Sequence, residues 1–369
     1  MSATYRAAII GCGGMGGVHA RAYKQAERVE LLAAADPLEA ARDQFQQDVG
    51  VPQVFASTEE MLAAVQPDIV SVCTWHPLHP AATVAAARAG AKGIICEKPM
   101  AISLGEADRM LAACSEHGTR LAIGHQRRFT RGWERGRALV QGGAIGEPLF
   151  VNARIAEGLL NWGTHTIDGV RFALNDPDAE WVMGAVERNT DRHERDTLIE
   201  DACMGLVNFA GGVQAFIESD LRRDSATAGA FRLRGTAGML EVAESQVRLF
   251  NAHTRGWHDV PLGRDAEAYP AIGGQTNVAQ VQELLAWIEG GPEHRGAGRR
   301  ARATVEIMMA LYQSAREHRM MRLPLEERDN PLELMVAEGK LPVRDPGRYD
   351  IRDPQLRAKR RAQQRAQRS

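Results

Sequence analysis

The sequence predicts an α/β protein that begins with a doubly wound parallel sheet, and three observations carry that prediction. A glycine-rich turn, residues 11–16, joins a short apolar strand to a helical segment. Extended and helical patterns then alternate as far as Gly124. The apolar runs in this alternation are continuous, as in strands that are buried on both faces of a parallel sheet. Ligands of such a sheet bind outside the carboxyl ends of its strands.

The glycine turn has the G-x-G-x-x-G spacing of a dinucleotide-binding loop. Gly11 permits the tight turn, Gly13 lets the backbone approach a pyrophosphate, and Gly16 lets helix and strand pack closely. The free N–H groups at the start of the helix would hold the phosphates. A glycine turn of this kind can also be a plain connection, so the loop alone does not decide between the two. The predicted cofactor-binding loop comprises Gly11, Cys12, Gly13, Gly14, Met15 and Gly16.

An acidic residue after the second strand favours nucleotide binding. The strand at 29–35 is followed by Asp36, where a carboxylate accepts hydrogen bonds from the adenine ribose. Such a carboxylate repels a 2′-phosphate, and Pro37 beside it supplies no cation. We therefore predict that NAD is preferred over NADP. The alternative is that Asp36 and Pro37 form a turn that binds no ligand.

The remaining elements of the first domain each have a local signal. Ser57 with Glu60 and Ser103 with Glu106 have the spacing of capping boxes, which open helices. The predicted order is helix 38–49, strand 53–55, a helix from 57, strand 69–74, helix 81–89, strand 93–97, helix 103–117 and strand 121–124. We expect the first domain to span residues 1–126.

Polar and aromatic side chains follow three of these strands at their carboxyl ends. That edge is the ligand crevice of the fold, although a lysine just past a buried strand can also be an ordinary surface residue. The residues assigned to the cofactor are Thr74, His76 and His79 after one strand, and Glu97 and Lys98 after the next. The residues assigned to the substrate here are Trp75, Arg127 and Arg128.

The second half of the chain is predicted to form a further sheet and two closing helices. The predicted strands are 149–155, a hairpin of 204–209 and 213–218 around Gly211-Gly212, 231–234 and 246–250, and the helices are 277–289 and 302–318. We expect this domain to span residues 127–330. The extension 331–369, rich in Arg, Lys and Gln after 357, is expected to be partly disordered or to wrap a neighbouring subunit.

Composition excludes several classes of protein. The 369 residues carry a net charge of −2, which argues against a nucleic-acid-binding protein. The five cysteines have no metal-ligand or redox spacing, so we expect no metal and a reducing compartment. The chain shows no signal peptide and no apolar run of bilayer length. We expect a cytoplasmic protein that does not enter a membrane.

Several of these segments together resemble the Gfo/Idh/MocA family. They are the glycine loop with Asp36, the T-x-x-x-x-H segment 74–79, Glu97-Lys98-Pro99 and the R-R-F segment 127–129. The resemblance continues in 161–168, which is similar to the family's D-x-x-x-H helix, and in 305–325, which is similar to its last helix and strand. It covers residues 5–326 and leaves out the extension after Asn330.

Members of this family are NAD(P)-dependent oxidoreductases of sugars, inositols and related polyols. The resemblance therefore implies a Rossmann domain followed by an α/β domain with a large, mainly antiparallel sheet. In the family that sheet often serves as an oligomer interface, and we expect a homodimer or homotetramer.

The resemblance also implies roles for individual residues. His165 is the best candidate for proton transfer, because histidine titrates near neutral pH. The alternative is that it is a packing residue of its helix. Lys98 would hold and polarise the reacting oxygen or relay its proton, and Glu97 would hold the nicotinamide ribose. Asn161 departs from the pattern, because the family usually carries an aspartate there, and an amide can orient a hydroxyl but cannot carry a proton. Trp75 and Trp162 can each offer an apolar face to a sugar ring, and the alternative for both is buried packing.

Three functions remain open on the sequence alone. The first is an NAD-dependent dehydrogenase that acts on a hydroxyl of a sugar, inositol or glycoside. The second is a glycosidase that keeps NAD bound, oxidises the sugar transiently and eliminates the aglycone. The third is a sensor that binds dinucleotide and sugar without catalysis, a role that Asn161 permits and that Lys98 and His165 argue against.

Overall fold

The computed structural model describes residues 4–221 and 230–353, and its first sheet is the predicted parallel one. The strands are β1 (Tyr5–Ile10), β2 (Val29–Ala35), β3 (Gln53–Phe55), β4 (Ile69–Val72), β5 (Gly93–Cys96) and β6 (Arg120–Ile123). They pair in parallel in the order β3-β2-β1-β4-β5-β6. The strand order reverses between β1 and β4, which places the ligand crevice of a doubly wound sheet at that point.

Helices cover both faces of this sheet and continue through the second domain. The α-helices of the described residues are α1 (Gly14–Gln25), α2 (Glu39–Val49), α3 (Thr58–Val65), α4 (His79–Arg88), α5 (Leu104–Glu116), α6 (Arg131–Gln141), α7 (Thr164–Ala173), α8 (Gly274–Ile288), α9 (Gly298–Glu317) and α10 (Pro331–Ala337). The predicted serine caps are confirmed: Ser57 Oγ accepts from the Glu60 N–H, and Ser103 Oγ accepts from the Glu106 N–H.

One helix lies in a different domain from the one expected. The sequence assigned α8 to a second domain at 127–330, but its side chains pack on the first sheet, in one core cluster with Ile9 and Tyr23. A Cβ on Gly93 would lie 2.7 Å from Ile288 and 3.1 Å from Leu284, so the helix rests directly on β5. The helical period identifies an apolar face but not the sheet that the face covers.

The second domain is built on a nine-stranded sheet, with a small three-stranded sheet beside it. The strands are β7 (Pro148–Ile155), β8 (Ala179–Glu187), β9 (Thr190–Glu194), β10 (Thr197–Leu198), β11 (Ala202–Phe209), β12 (Gln214–Ser219), β13 (Phe231–Gly235), β14 (Gly238–Val242), β15 (Val247–Asn251), β16 (His258–Asp259), β17 (Met321–Arg322) and β18 (Asp345–Asp350). The large sheet has the order β16-β15-β14-β13-β7-β12-β11-β8-β17. Its pairs are antiparallel except β7 with β12, and the predicted β11–β12 hairpin is confirmed.

The two faces of the nine-stranded sheet have different surroundings. Helix α9 packs so closely on one face that a Cβ on Gly184 would lie 2.5 Å from the Leu311 carbonyl oxygen. The alternate side chains point away from α9 and form what we call the open face. On the open face Met183, Met204 and Phe250 are exposed. The same face carries the ion pairs of Arg154 with Glu218 and of Arg232 with Glu241, so it mixes exposed apolar side chains with charged ones.

The segment after α9 folds back onto its own chain. Helix α10 packs on α9, and β18 pairs in parallel with β9 to complete the sheet β10-β9-β18. The expectation for 331–369 was a solvated extension or an arm on a neighbour, and the described part, 331–353, instead contacts the second domain. The basic run predicted at 357–368 lies outside the described residues.

Candidate active site

The glycine loop has the shape that its spacing predicts. Gly11 has a φ of +102°, and a Cβ there would lie 2.7 Å from the Cys73 carbonyl group. A Cβ on Gly16 would collide with the Gly11 carbonyl oxygen. Around Gly13 and Gly14, by contrast, no described atom apart from the adjoining residues and the backbone of α1 lies within 4 Å of such a Cβ. The loop therefore packs tightly at both ends and leaves open space at the start of α1, where backbone N–H groups can receive phosphates.

Asp36 lies at the end of β2, beside this loop. Its Oδ2 accepts a hydrogen bond of 2.9 Å from the Cys12 N–H, and its Oδ1 accepts one of 2.9 Å from the Leu38 N–H. The sequence reasoning missed a nearby cation. Arg42, on the first turns of α2, donates to the carbonyl oxygens of Asp36 at 2.7 Å and of Pro37 at 3.0 Å.

The segment after β4 lines the crevice opposite the glycine loop. The Thr74 hydroxyl is buried and has no hydrogen-bond partner among the described residues. His79 joins this segment to the next one, because its Nδ1 lies 2.8 Å from the Pro99 carbonyl oxygen and its Nε2 lies 3.1 Å from that of Thr74. Trp75 is 52% exposed.

Glu97 follows β5 and is almost completely buried. Its Oε1 lies 3.0 Å from Nε2 of His19, whose Nδ1 lies 2.9 Å from the Ser71 hydroxyl. Burial raises the pKa of Glu97, but the His19 hydrogen bond and the nearby charges of His19, Lys98 and His79 outweigh it, so the pKa is lowered overall. His19, on helix α1, thus holds a carboxylate of the candidate site, although no motif includes it.

Lys98 points from the end of the first sheet toward the second domain. Its Nζ donates to the Asn161 carbonyl oxygen at 3.3 Å and lies 5.9 Å from the centre of the Trp162 ring. Burial lowers the pKa of Lys98 to about 8, although Glu97 and Glu194 act to raise it. An amine with this pKa is available in both protonation states near neutral pH.

His165 approaches the same Trp162 ring from helix α7. The two ring centres are 5.8 Å apart, and His165 Nδ1 has no hydrogen-bond partner among the described residues. Burial lowers the pKa of His165 well below its usual value, and the charges of Arg127 and Lys98 lower it further. Burial thus favours the neutral imidazole of His165, which can both donate and accept a hydrogen bond.

The two arginines of the R-R-F segment have different surroundings. Arg127 pairs with Glu244, and its guanidinium lies 5.0 Å from the centre of the Trp162 ring. Arg128 is completely buried, and hydrogen bonds join it to Asp168 and Asp176. The guanidinium of Arg128 is thus committed to structural ion pairs, whereas that of Arg127 lies beside Trp162.

A carboxylate and a guanidinium from distant parts of the chain complete the site. Glu194, at the end of β9, has one oxygen 3.2 Å from Nδ1 of the buried His76. Its other oxygen accepts from Nε of Arg352 at 2.8 Å. The Arg352 guanidinium also donates to Oδ1 of Asn161 at 3.0 Å. Sequence reasoning found neither Glu194 nor Arg352, because no motif includes them.

The described residues also bear on metal binding and on membrane insertion. In the parts of the chain that the structure describes, no group of three or more His, Cys, Asp or Glu side chains is arranged to bind a metal ion. No helix in the described ranges combines the length and the apolar character needed to cross a bilayer. All five cysteines are free and buried.

A parallel sheet that opens its dinucleotide crevice onto a buried lysine and histidine is the architecture of a dinucleotide-dependent oxidoreductase. Comparison with known proteins agrees. Residues 5–125 match the model of an oxidoreductase family with an NAD-binding Rossmann fold, and residues 156–241 match the GFO/IDH/MocA C-terminal domain. The chain belongs to the Gfo/Idh/MocA family.

Individual relatives are named dehydrogenases. D-apiose dehydrogenase of Paraburkholderia graminis is 28% identical over 360 residues, which cover 91% of this chain and 94% of the relative. Myo-inositol 2-dehydrogenase of Thermotoga maritima is 30% identical over 264 residues, 68% of this chain and 76% of the relative. D-glucoside 3-dehydrogenase of Escherichia coli is 33% identical over 248 residues, 59% and 70% of the two chains.

Solved structures share the fold. The NAD-binding oxidoreductase of Klebsiella pneumoniae has a TM-score of 0.76 at 22% identity and covers 88% of this chain and 100% of its own. The oxidoreductase domain protein of Kribbella flavida has a TM-score of 0.77 at 20% identity, with the same two coverages of 88% and 100%. These two likenesses agree with the two-domain α/β architecture described above.

Proposed function

We propose that this protein is an NAD-dependent dehydrogenase that oxidises a secondary hydroxyl of a sugar, inositol or glycoside. The observation that carries the proposal is the convergence of Lys98 and His165 on one ring, that of Trp162, at the mouth of the dinucleotide crevice. Oxidation of an alcohol needs a hydride acceptor and a group that removes the hydroxyl proton. The relatives named for apiose, myo-inositol and glucosides support a polyhydroxylated substrate.

The residues that would hold the dinucleotide fit it. The open space at Gly13 and Gly14 accommodates a pyrophosphate at the start of α1, and the unpartnered Thr74 hydroxyl lies beside the crevice. Asp36 would accept from the adenine ribose, and Glu97 from the nicotinamide ribose. When bound, NAD supplies the hydride acceptor.

Lys98 takes the hydroxyl proton in this proposal. Its pKa of about 8 lies near the working pH, whereas that of His165 is lowered well below 6.5. An imidazolium at His165 would form beside Lys98 and Arg127, and Asn161 offers no carboxylate to stabilise it. His165 then holds the reacting oxygen by a hydrogen bond. This assignment differs from the sequence interpretation, which placed proton transfer at His165.

The substrate would bind between these groups and the second domain. Asn161 contacts the Lys98 amine, Trp162 lies beside the His165 ring, and Arg127 lies against the Trp162 ring. We therefore assign Asn161 and Arg127 to substrate hydroxyls and Trp162 to one face of the sugar. Trp75 is exposed on the first-domain side of the crevice and offers an apolar surface there. Arg128 is not carried into this set, because its partners are Asp168 and Asp176.

NAD is the preferred cofactor in this proposal, because the Asp36 carboxylate occupies the position that a 2′-phosphate would approach. Arg42 reduces the expected preference, since its guanidinium lies against the backbone of Asp36 and can attract that phosphate. We therefore expect NAD to bind roughly tenfold more tightly than NADP, a difference of about 1.4 kcal/mol.

The open face of the nine-stranded sheet is our candidate for the subunit interface. Met183, Met204 and Phe250 are exposed on it, and Leu206 pairs with Phe216 between them. Burying such a face against a second copy removes apolar area from water. We propose a homodimer or homotetramer. Five free, buried thiols suit the reducing conditions of the cytoplasm, where we place the protein.

A substrate screen tests the proposed function. NADH formation is measured with NAD and a panel of polyols, aldoses and glycosides, with product analysis of every hit. The proposal expects stoichiometric NADH and a ketone or lactone product. Release of an aglycone without net NADH would indicate the glycosidase alternative, and binding of dinucleotide and sugar without turnover would indicate the sensor.

A further inference from the structure

We propose that Arg352, from the segment after the second domain, is a positioning residue that orients the Asn161 amide for a substrate hydroxyl. This inference rests on the proposed function, because it uses the assignment of Asn161 to substrate binding. It joins two features that the family resemblance left unexplained: the extension beyond Asn330 and the amide where the family usually carries an aspartate.

Two neighbours of opposite character fix the Asn161 side chain. Its Oδ1 accepts from Arg352 at 3.0 Å, and its Nδ2 donates to the Glu157 carbonyl oxygen at 3.2 Å. A guanidinium only donates and a carbonyl only accepts, so the amide cannot be reversed without losing both bonds. Asn161 is completely buried, where lost hydrogen bonds are costly.

This arrangement gives a physical reason for the amide. An aspartate at 161 would place a carboxylate oxygen against the Glu157 carbonyl oxygen, with no proton between them. An amide has two N–H groups and two oxygen lone pairs, and the described contacts use one of each. The remaining N–H and lone pair can donate to and accept from one substrate hydroxyl. The Asn161 carbonyl oxygen lies 3.3 Å from the Lys98 amine. A substrate hydroxyl held by the Asn161 amide would therefore lie close to the hydroxyl that Lys98 deprotonates.

Several contacts hold Arg352 in place. Its Nε donates to Glu194 at 2.8 Å, and its backbone N–H donates to Asp350 at 2.7 Å. The strand before it pairs with β9, and the Ile351 N–H donates to the His193 carbonyl oxygen at 2.8 Å. Strand β9 ends in Glu194. It therefore supplies both the backbone that supports the segment and the carboxylate that aligns the Arg352 guanidinium.

The test compares two arginines of the same segment. Arg352→Met keeps the apolar stem and removes the guanidinium, and Arg352→Lys keeps only a point charge. Arg348→Met is the control, because Arg348 pairs with Asp196 on the exposed side of β18, where both side chains are more than half exposed. Steady-state kinetics on the best substrate of the panel and NAD affinity are measured for each.

Arg352→Met should raise KM about 10- to 100-fold, the usual worth of hydrogen bonds to a charged group, with kcat and NAD affinity much less affected. Arg352→Lys should recover part of the loss, since an ammonium cannot span Glu194 and Asn161 as a planar fork does. Arg348→Met should behave like the unmodified protein. Equal kinetics for Arg352→Met and Arg348→Met, or a loss confined to NAD affinity, would overturn the proposal.

A double-mutant cycle decides the pairing without turnover. Arg352→Met, Asn161→Ala and the double variant are unfolded in urea beside the unmodified protein. Coupled residues should lose less stability together than the sum of the single losses, and additive losses would overturn the pairing. If the unmodified protein oxidises nothing in the panel, the proposed function fails, while the cycle still decides whether Arg352 holds Asn161.

Discussion

The pH dependence of oxidation follows from the charges around Lys98. Only the neutral amine can take a proton, and its fraction rises as the pH passes through the Lys98 pKa of about 8. We therefore expect kcat/KM for oxidation to rise with pH and to level off above about 8. The lowered pKa of His165 places its titration well below this limb.

Two substitutions should move this limb in opposite directions. The Glu194 charge raises the Lys98 pKa, so Glu194→Gln should move the limb to lower pH. The Arg195 charge lowers the same pKa, so Arg195→Met should move the limb to higher pH. One kcal/mol of charge interaction corresponds to about 0.7 pH unit. We expect Glu194→Gln to shift the limb by about 0.7 pH unit, because Glu194 is buried. The shift for Arg195→Met should be smaller, because the Arg195 side chain is 34% exposed and its charge is screened by water.

The assay is the initial rate of NADH formation from the best substrate between mildly acidic and strongly alkaline pH, in buffers of constant ionic strength. His165→Ala is the control for assignment: it should lower kcat but leave the limb near pH 8 in place. Shifts of the same sign for Glu194→Gln and Arg195→Met would refute the reasoning, and so would a limb that disappears in His165→Ala.

Three further predictions concern the cofactor, the buried histidine and assembly. Asp36→Ala should weaken NAD binding about 10- to 100-fold. It should improve NADP binding, because Arg42 remains while the carboxylate that repels the 2′-phosphate is lost. Equal affinities of the unmodified protein for NAD and NADP in fluorescence titrations would contradict the prediction. His19→Phe should weaken NAD binding about tenfold, because Glu97 loses a hydrogen bond and its pKa rises, while His19→Gln should restore much of it; equal affinities would assign His19 to packing alone. Met204→Arg should dissociate the oligomer in light scattering, and an unmodified protein that is already monomeric at micromolar concentration would remove the open face as an interface.

The first sheet could be predicted because its signals are local. Each strand contains a short run of apolar residues, and serine caps or glycines mark several of the helices between them. The glycine loop adds a spacing whose reason is steric, as the close approach of Gly11 to Cys73 illustrates. The order of the strands then follows from the rules of doubly wound sheets.

The second domain was harder because its strands carry mixed patterns. In β8, residues 179–187, Met183 is exposed on the open face, while Gly184 leaves room for α9, so the strand lacks a clean polar and apolar alternation. The π-helical turn at Leu159–Gly163 has no sequence signal of its own. Helix α8 shows a helical period, but that period does not specify its partner sheet.

The missing members of the site are joined by long-range contacts. His19 and Glu97 are 78 positions apart, and Asn161 and Arg352 are 191 apart. A motif describes neighbours in sequence, so it can assign Glu97 to the cofactor site and show that Asn161 replaces the aspartate of the family pattern. Which side chains hold them is decided by the packing of distant elements.

The central claim is that Lys98 is the catalytic proton acceptor, and one comparison of lysines tests it most directly. Lys92 precedes β5 and pairs with Asp68 at 2.9 Å on the surface, whereas Lys98 follows the same strand into the crevice. Turnover and NAD affinity are measured for Lys98→Met and Lys92→Met. We predict that Lys98→Met lowers kcat about 10²- to 10⁴-fold, the usual worth of a general base, while it still binds NAD and Lys92→Met remains fully active. Near-normal turnover by Lys98→Met, with NAD bound, would contradict the account.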